Sequence, residues 1–308
     1  MRGNNYNLKT RDMSKAGSFA MNREVAAGSA SFSTAATVSE RFDQFAAYAK
    51  EAGLRRLEEV SRDLVTSYGQ GLANQVTQGT LSAAYAQNLV SAVNSVMGAA
   101  TRGQWQSVSP SKECKISQRS NVRDTPATSI DRSRFEVAQA FTTERGQAIT
   151  GLARDLGLRS KEASLINALS ALREAQNTGK VTVVYGTKGG REREVPITHE
   201  RQIASLEHAA QIQGKGRSLV PNTQTWSQFR NGELRGTREA LQAHGVKDIH
   251  DLRAAYASER YQALTGERTP LEGGKASKAD DRAAREVLAV ELGHGRIDVI
   301  SSYIGGRP

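Results

Sequence analysis

The chain has 308 residues, long enough for two domains with separate cores. A hydrophobic share of 38%, a mean hydropathy of −0.53 and no apolar run near the ~18 residues of a membrane span exclude a transmembrane protein and indicate a soluble globular one. Lys and Arg number 42 against 32 Asp and Glu, a net charge of +10, and so basic a protein points to a polyanionic partner, nucleic acid first.

The chain opens with MRGNNYNLKTRDMSKAG, which has cations but no apolar stretch after them, so no secretory signal is expected and cytoplasmic residence follows. Residues 1–37 are rich in Gly, Ser, Ala, Asn and Thr and predict a flexible or only locally helical arm. Residues 38–100 predict a small α-helical bundle. Phe42, Phe45 and Ala49 share one face behind a Ser39 cap, with Gly53 ending that helix. Leu64, Val65, Tyr68, Leu72 and Val76, then Tyr85, Leu89, Val93, Val96 and Met97, repeat helical spacing in two further segments.

Residues 101–134 are polar, Ser-rich and basic, with Trp105 as the one large anchor, and predict an interdomain linker able to lie along phosphates. Arg102, Lys112, Lys115, Arg119 and Arg123 are its candidate DNA contacts. Cys114 is the single cysteine, which excludes an internal disulfide and any multi-cysteine metal site, and reads as incidental. Residues 135–308 predict a second domain. Two helical stretches lead to KVTVVYGTKGGREREVPIT, whose alternation around Gly-Gly predicts a β-hairpin, and helices then resume.

Five places in this second domain could carry chemistry. In LGLRSKEASLI, Gly157 stops one helix and Ser160 caps the next, pinning Arg159 in a tight corner as a phosphate clamp requires. Lys188 sits at the hairpin tip, able to deliver an ammonium to a leaving oxygen. His250 and Arg253 in HDLRAAYAS share a helical face, an awkward pairing of cations unless an anion lies between them. Gly293 places His294 in a corner, and Tyr303 follows nine residues later at helical spacing. Singly these read as well as a surface arginine, a turn lysine, a helix start and a core-facing tyrosine.

Their order is more telling: Arg, Lys, His-x-x-Arg, His, then Tyr. LGLRSKEASLI, TKGGREREVPI, HDLRAAYAS and LGH with Tyr nine residues on resemble the boxes of the tyrosine recombinase (phage integrase) family over roughly residues 38–308. The resemblance implies a mainly α protein with a small β-hairpin sheet (α+β), its helical core-binding domain and recombinase catalytic domain forming a two-domain C-shaped clamp on DNA. It implies Tyr303 as nucleophile on a DNA phosphodiester, leaving a 3′-phosphotyrosyl link. Arg159, Arg253 and His294 would bind the phosphate oxygens, Lys188 would be the general acid, His250 would assist proton transfer, and Glu162 would orient Arg159 or His250.

No metal, ATP or other cofactor is implied. Partners implied are double-stranded DNA and a homotetramer at the synapse, with room for accessory DNA-bending or directionality proteins. Two features depart from the family's compact members. Residues 265–284 look like an inserted surface loop between Arg253 and His294, and only five residues follow Tyr303, which puts a tail exchanged between protomers in doubt. A type IB topoisomerase-like relaxing enzyme and a non-enzymatic DNA-binding protein of the same fold are the competing readings. The DNA site, and whether the outcome is integration, excision or resolution, are not encoded in any motif.

Overall fold

In the computed structural model, residues 4–307 are described, so residues 1–3 of the expected arm and the last residue of the second domain lie outside them. The chain divides into two units, 1–120 and 121–308. No helix among the described residues is long and apolar enough to cross a membrane.

Among the described residues, the first unit holds the α-helices α1 (Met13–Ala26), α2 (Phe32–Glu51), α3 (Arg62–Thr77) and α4 (Ala83–Ala100). Each starts on a side-chain cap: Asp12, Ser31, Ser61 and Ser82 accept from the backbone N–H three residues on, satisfying donors that the first turn leaves open. The stretch expected to be an arm therefore holds all of α1 and the first residues of α2. Met13, Ala16, Ala20 and Met21 of α1 are buried in the same core as Phe42, Phe45, Leu89 and Val93. Helix α2 begins at Phe32, capped by Ser31, so Ser39 lies inside it. Small Ala and Gly residues gave α1 a weak apolar pattern, yet they let it approach closely: Gly17 lies against the Phe42 ring, where an added Cβ would sit 2.4 Å from Cδ1.

The expected linker is mostly packed structure. Val108, Cys114 and Ile116 are buried in the first core, and the Trp105 indole donates to Asn94 Oδ1 at 3.0 Å. Cys114 seats on α3 at Gly69, whose missing side chain makes the space: a Cβ there would lie 2.3 Å from Sγ. The two units meet in sequence between Ser120 and Asn121.

The second unit holds α5 (Arg132–Ala140), α6 (Glu144–Asp155), α7 (Ser160–Leu165), α8 (Ala168–Thr178), β1 (Lys180–Val183), β2 (Arg193–Pro196), α9 (Glu200–Gln213), α10 (Trp226–Asn231), α11 (Glu233–Ala243), α12 (Ile249–Thr265), α13 (Lys278–Glu291) and α14 (Ser301–Ile304). The two strands form an antiparallel hairpin in the register Val181 to Val195 and Val183 to Arg193. Helices α6 and α12 run through the core with Leu152, Leu252, Ala254 and Ala255 fully buried, and α9, α13 and α14 pack around them. The stretch read as an inserted loop, 265–284, divides: a turn with a short 3₁₀ segment, Pro270–Glu272, precedes Ser277, which caps α13.

Gly69→Ala should destabilise the first unit by about 1–3 kcal/mol through overlap with Cys114, despite the ~1 kcal/mol by which alanine favours a helix interior. Urea denaturation of the full chain, with hydrogen exchange read in α3 and α4, checks this; undiminished protection would contradict the packing.

Candidate functional site

The site assembles from the ends of four elements in the second unit. The corner between α6 and α7 carries Arg159, which is the N-cap residue of α7, a position the sequence reading gave to Ser160. Its backbone N–H donates to Glu162 Oε2 at 2.7 Å and its guanidinium to Glu162 Oε1 at 2.6 Å, so one carboxylate fixes both main chain and side chain. Helix α12 starts on Asp248 and presents His250 and Arg253. The end of α13 turns at Gly293 (φ +65°), where a Cβ would stand 2.9 Å from Arg193 Cδ, and this turn brings His294 into place with its N–H on the Ala289 carbonyl at 2.7 Å. Helix α14 carries Tyr303.

The Tyr303 hydroxyl lies between two nitrogens: Arg253 Nε donates to it at 3.2 Å, and His294 Nε2 is 3.0 Å away. The His250 ring sits beside the tyrosine ring, centroids 5.4 Å apart. Arg253 is fully buried, and its two terminal nitrogens donate to the carbonyls of Gly157 and Leu292. Arg159 Nη2 reaches the same Leu292 carbonyl at 3.3 Å, so the two guanidinium groups are neighbours. Five of the six expected residues, Arg159, His250, Arg253, His294 and Tyr303, are thus brought together, with Glu162 behind them. Lys188 is exposed on the short 3₁₀ turn at the hairpin tip, Lys188–Gly190, and makes no hydrogen bond or ion pair with the other five.

Arg193 was not foreseen. It donates through both terminal nitrogens to Glu162, at 2.8 and 2.6 Å, and through Nε to the Glu291 carbonyl at 2.8 Å. Arg193 is two residues from Val195 and both face inward, a parity that Arg191 shares, so alternation alone did not single it out. Of the expected linker contacts, Arg102, Lys112, Lys115 and Arg119 are exposed on the first unit. Arg123 differs: its guanidinium is paired with the buried carboxylate of Asp251, and so is not free to lie along a phosphate backbone.

Burial would raise the Glu162 carboxyl, but hydrogen bonds and charge from Arg193, then Arg159, outweigh it and hold the pKa down to about 2. Burial lowers Arg253 to about 10, with Tyr303 opposing and Arg159 and Arg193 adding to the effect, and leaves it cationic at neutral pH. Desolvation and then Arg253, Arg159 and Arg193 lower His294 to about 4. His250 reaches solvent along one edge, yet the atoms packed around it and then Arg253 move its pKa down too. Both imidazoles are therefore neutral at pH 7 in the absence of an anion. The arrangement is a rigid cationic recess with a hydroxyl at its centre, suited to an anion that the hydroxyl could attack.

Residues 117–259 match the model of a protein family described as Integrase. That stretch is less than half of the chain and overlaps the region whose motifs resemble the tyrosine recombinases. Solved recombinase structures share the fold across most of the chain. A lambda integrase dimer bound to a COC′ core site is similar at 16% identity and a TM-score of 0.60, covering 92% of this chain and 93% of that one. The XerH site-specific recombinase bound to palindromic difH substrate in a post-cleavage complex has 17% identity and a TM-score of 0.59, covering 93% and 80%. The Tn1549 transposon integrase in complex with transposon right end DNA has 10% identity and a TM-score of 0.59, covering 95% of each. No curated protein sequence matches the chain.

Two outcomes test this electrostatic picture. A Glu162→Gln protein should lose about 3–5 kcal/mol of stability, since it leaves Arg193 buried against a neutral amide. The carboxylate's pKa is depressed, so its contribution is complete above pH 4.5 and falls away as pH drops towards 2; acid titration of wild type and variant should converge across that window. The His294 ring, followed by NMR, should titrate near pH 4 in the free protein and at higher pH once a DNA phosphate lies beside it.

Proposed function

We propose that this chain is a tyrosine recombinase, a site-specific DNA integrase that moves a mobile element by cutting and rejoining DNA. The observation that carries the reading is the Tyr303 hydroxyl held between Arg253 Nε and His294 Nε2, with Arg159 sharing an acceptor with Arg253. A DNA phosphodiester is the anion that fits such a recess in a chain of net charge +10.

Tyr303 Oη attacks phosphorus, forming the tyrosyl O–P bond as the bond to the 5′ oxygen breaks. The phenolic proton passes to His250, kept neutral at pH 7 by its lowered pKa. Arg159, Arg253 and the Nε2–H of His294 bind the non-bridging oxygens as negative charge grows on them. Lys188, carried by the hairpin, protonates the departing 5′ oxygen, leaving a 3′-phosphotyrosyl link and a free 5′-hydroxyl. Attack by a 5′-hydroxyl of the partner duplex reverses each bond change. The covalent link retains the phosphodiester's free energy, so the scheme uses neither ATP nor a metal ion.

Recombination requires two cuts on each of two duplexes, hence four protomers at a synapse. A lambda integrase tetramer bound to a Holliday junction is among the similar structures, at a TM-score of 0.56, 15% identity and coverage of 93% of this chain and 75% of that one. The first unit serves as the core-binding domain, with Arg102, Lys112, Lys115 and Arg119 on its surface as candidate phosphate contacts. Residues 121–308 serve as the catalytic domain. Accessory DNA-bending proteins would set direction, and the reaction takes place in the bacterial cytoplasm.

The test uses a duplex site selected from random sequence by Tyr303→Phe protein, then nicked to make a suicide substrate. Wild type should become covalently attached to the 3′ side, and Tyr303→Phe should bind but form no adduct. Arg253→Lys should slow single-turnover cleavage about 10²–10³-fold, the scale of losing a fixed oxyanion donor. Lys188→Ala should slow cleavage by ~10²–10⁴-fold, and a substrate with a better 5′ leaving group should recover much of that loss. Absence of an adduct with wild type, or an adduct with Tyr303→Phe, defeats the proposal. Products exchanged between two duplexes distinguish recombination from relaxation.

A further inference from the structure

Arg285 on α13 is buried and remote from the hydroxyl chemistry, yet it binds the chain on both sides of Tyr303. Its Nε donates to both carboxylate oxygens of Asp281 at 2.9 Å, and Asp281 also accepts from the Tyr261 hydroxyl at 2.9 Å. Its Nη1 donates to Ser301 Oγ and to the Gly305 carbonyl, each at 3.2 Å, and its Nη2 to the Gly306 carbonyl at 2.9 Å. The acceptors stand two residues before Tyr303 and two and three residues after it. A guanidinium is planar with donors in fixed directions, so gripping both ends of a four-residue helix fixes where that helix lies and how it is rolled.

A second contact closes the same grip. Gly305 has φ +86° and ψ 179°, and a Cβ on it would stand 2.6 Å from Leu271 Cγ. Leu271 belongs to the stretch read from sequence as a surface insertion. That turn instead lies on the segment following Tyr303, with Thr269 buried and its hydroxyl donating to Glu272 at 2.7 Å.

We propose that Arg285, oriented by Asp281 and Tyr261, is a positioning residue for the nucleophile: it clamps α14 and the residues after it to their own catalytic unit, and Leu271 locks the clamp at Gly305. This rests on Tyr303 being the nucleophile. Loosening the clamp leaves the phosphate recess intact, because Arg159, Arg253 and His294 are held by Glu162, Gly157, Leu292 and Ala289 instead. Duplex affinity should therefore be kept while the attacking oxygen loses its alignment.

The experiment compares wild type, Arg285→Met and Gly305→Ala as full chains. It measures affinity for the selected duplex by anisotropy, single-turnover cleavage of the nicked duplex at saturating protein, and amide exchange of residues 301–306 without DNA. Arg285→Met should hold its affinity within about twofold, cleave at least tenfold more slowly, and exchange faster at 301–306. A tenfold loss corresponds to about 1.4 kcal/mol of alignment. Wild-type cleavage or unchanged exchange in Arg285→Met overturns the clamp. If Arg285→Met unfolds because Asp281 is left buried and unpaired, Gly305→Ala decides. It leaves the ion pair in place and crowds Leu271, and wild-type cleavage by it overturns the proposal. Faster exchange in Arg285→Met together with no adduct from wild type would leave the clamp standing as structure and bring down the phosphotyrosyl reading instead.

Discussion

The second unit depends on one buried carboxylate. Glu162 is fully buried and receives Arg159 through backbone and side chain, and Arg193 through both terminal nitrogens, with Arg253 Nη1 at 3.9 Å. Three guanidinium groups this close repel one another, and burying any one without an anion costs several kcal/mol. Glu162 makes the cluster tolerable without neutralising it. One negative charge against three positive ones leaves a surplus aimed at the recess. Burial, and after it the same surplus, lowers both histidines, so the site carries its excess positive charge on the guanidinium groups.

The hydrogen bonds around these side chains convert that charge into geometry. Backbone carbonyls do most of the holding: Leu292 accepts from Arg159 and Arg253, Gly157 from Arg253, and Glu291 from Arg193. The α6–α7 corner, β2, α12 and the end of α13 are therefore tied at one point, and a displacement of any element misplaces a guanidinium. The Glu291 side chain ties the arrangement down from below, accepting from the Tyr256 hydroxyl at 2.8 Å and from Arg260 Nη2 at 2.9 Å. The start of the unit joins in through Asp251, next to His250. It accepts from the Arg123 guanidinium, from Thr128 Oγ1 at 2.6 Å and from the Ser129 N–H at 3.1 Å, while the Arg123 N–H donates to the Ser301 carbonyl at 2.9 Å.

Most of this site was legible in sequence because its parts are announced by local chemistry. Gly157 and Gly293 stop helices, the i, i+3 spacing puts His250 and Arg253 on one helical face, and Gly-Gly turns the hairpin, so the positions of Arg159, His294, Arg253 and Lys188 on corners, helix and turn followed from neighbours within a few residues. What stayed hidden depends on partners far along the chain. Arg193 and Arg191 look equivalent in GGREREV; only the register of Arg193 with Val183 turns it inward to Glu162. Arg123 and Cys114 sit in polar, Ser-rich sequence, and nothing local shows that one meets Asp251 and the other the gap at Gly69. Helix α1 hid for a different reason. Its buried side is Ala, Gly and Met, which scores weakly as apolar but packs closely.

The resting contact of Tyr303 is a consequence of the same charge balance. The phenolic oxygen is held between Arg253 Nε and His294 Nε2, and it gives both nitrogens a hydrogen-bond partner. A phosphodiester brings oxygens that are better acceptors for a guanidinium than a neutral phenol is. On the proposed function, a phosphate would compete directly for the bonds that hold the hydroxyl, and the exchange would leave Tyr303 beside the phosphorus with its oxygen freed. On this view, the cations that would stabilise the transition state also keep the nucleophile sheltered until substrate displaces it.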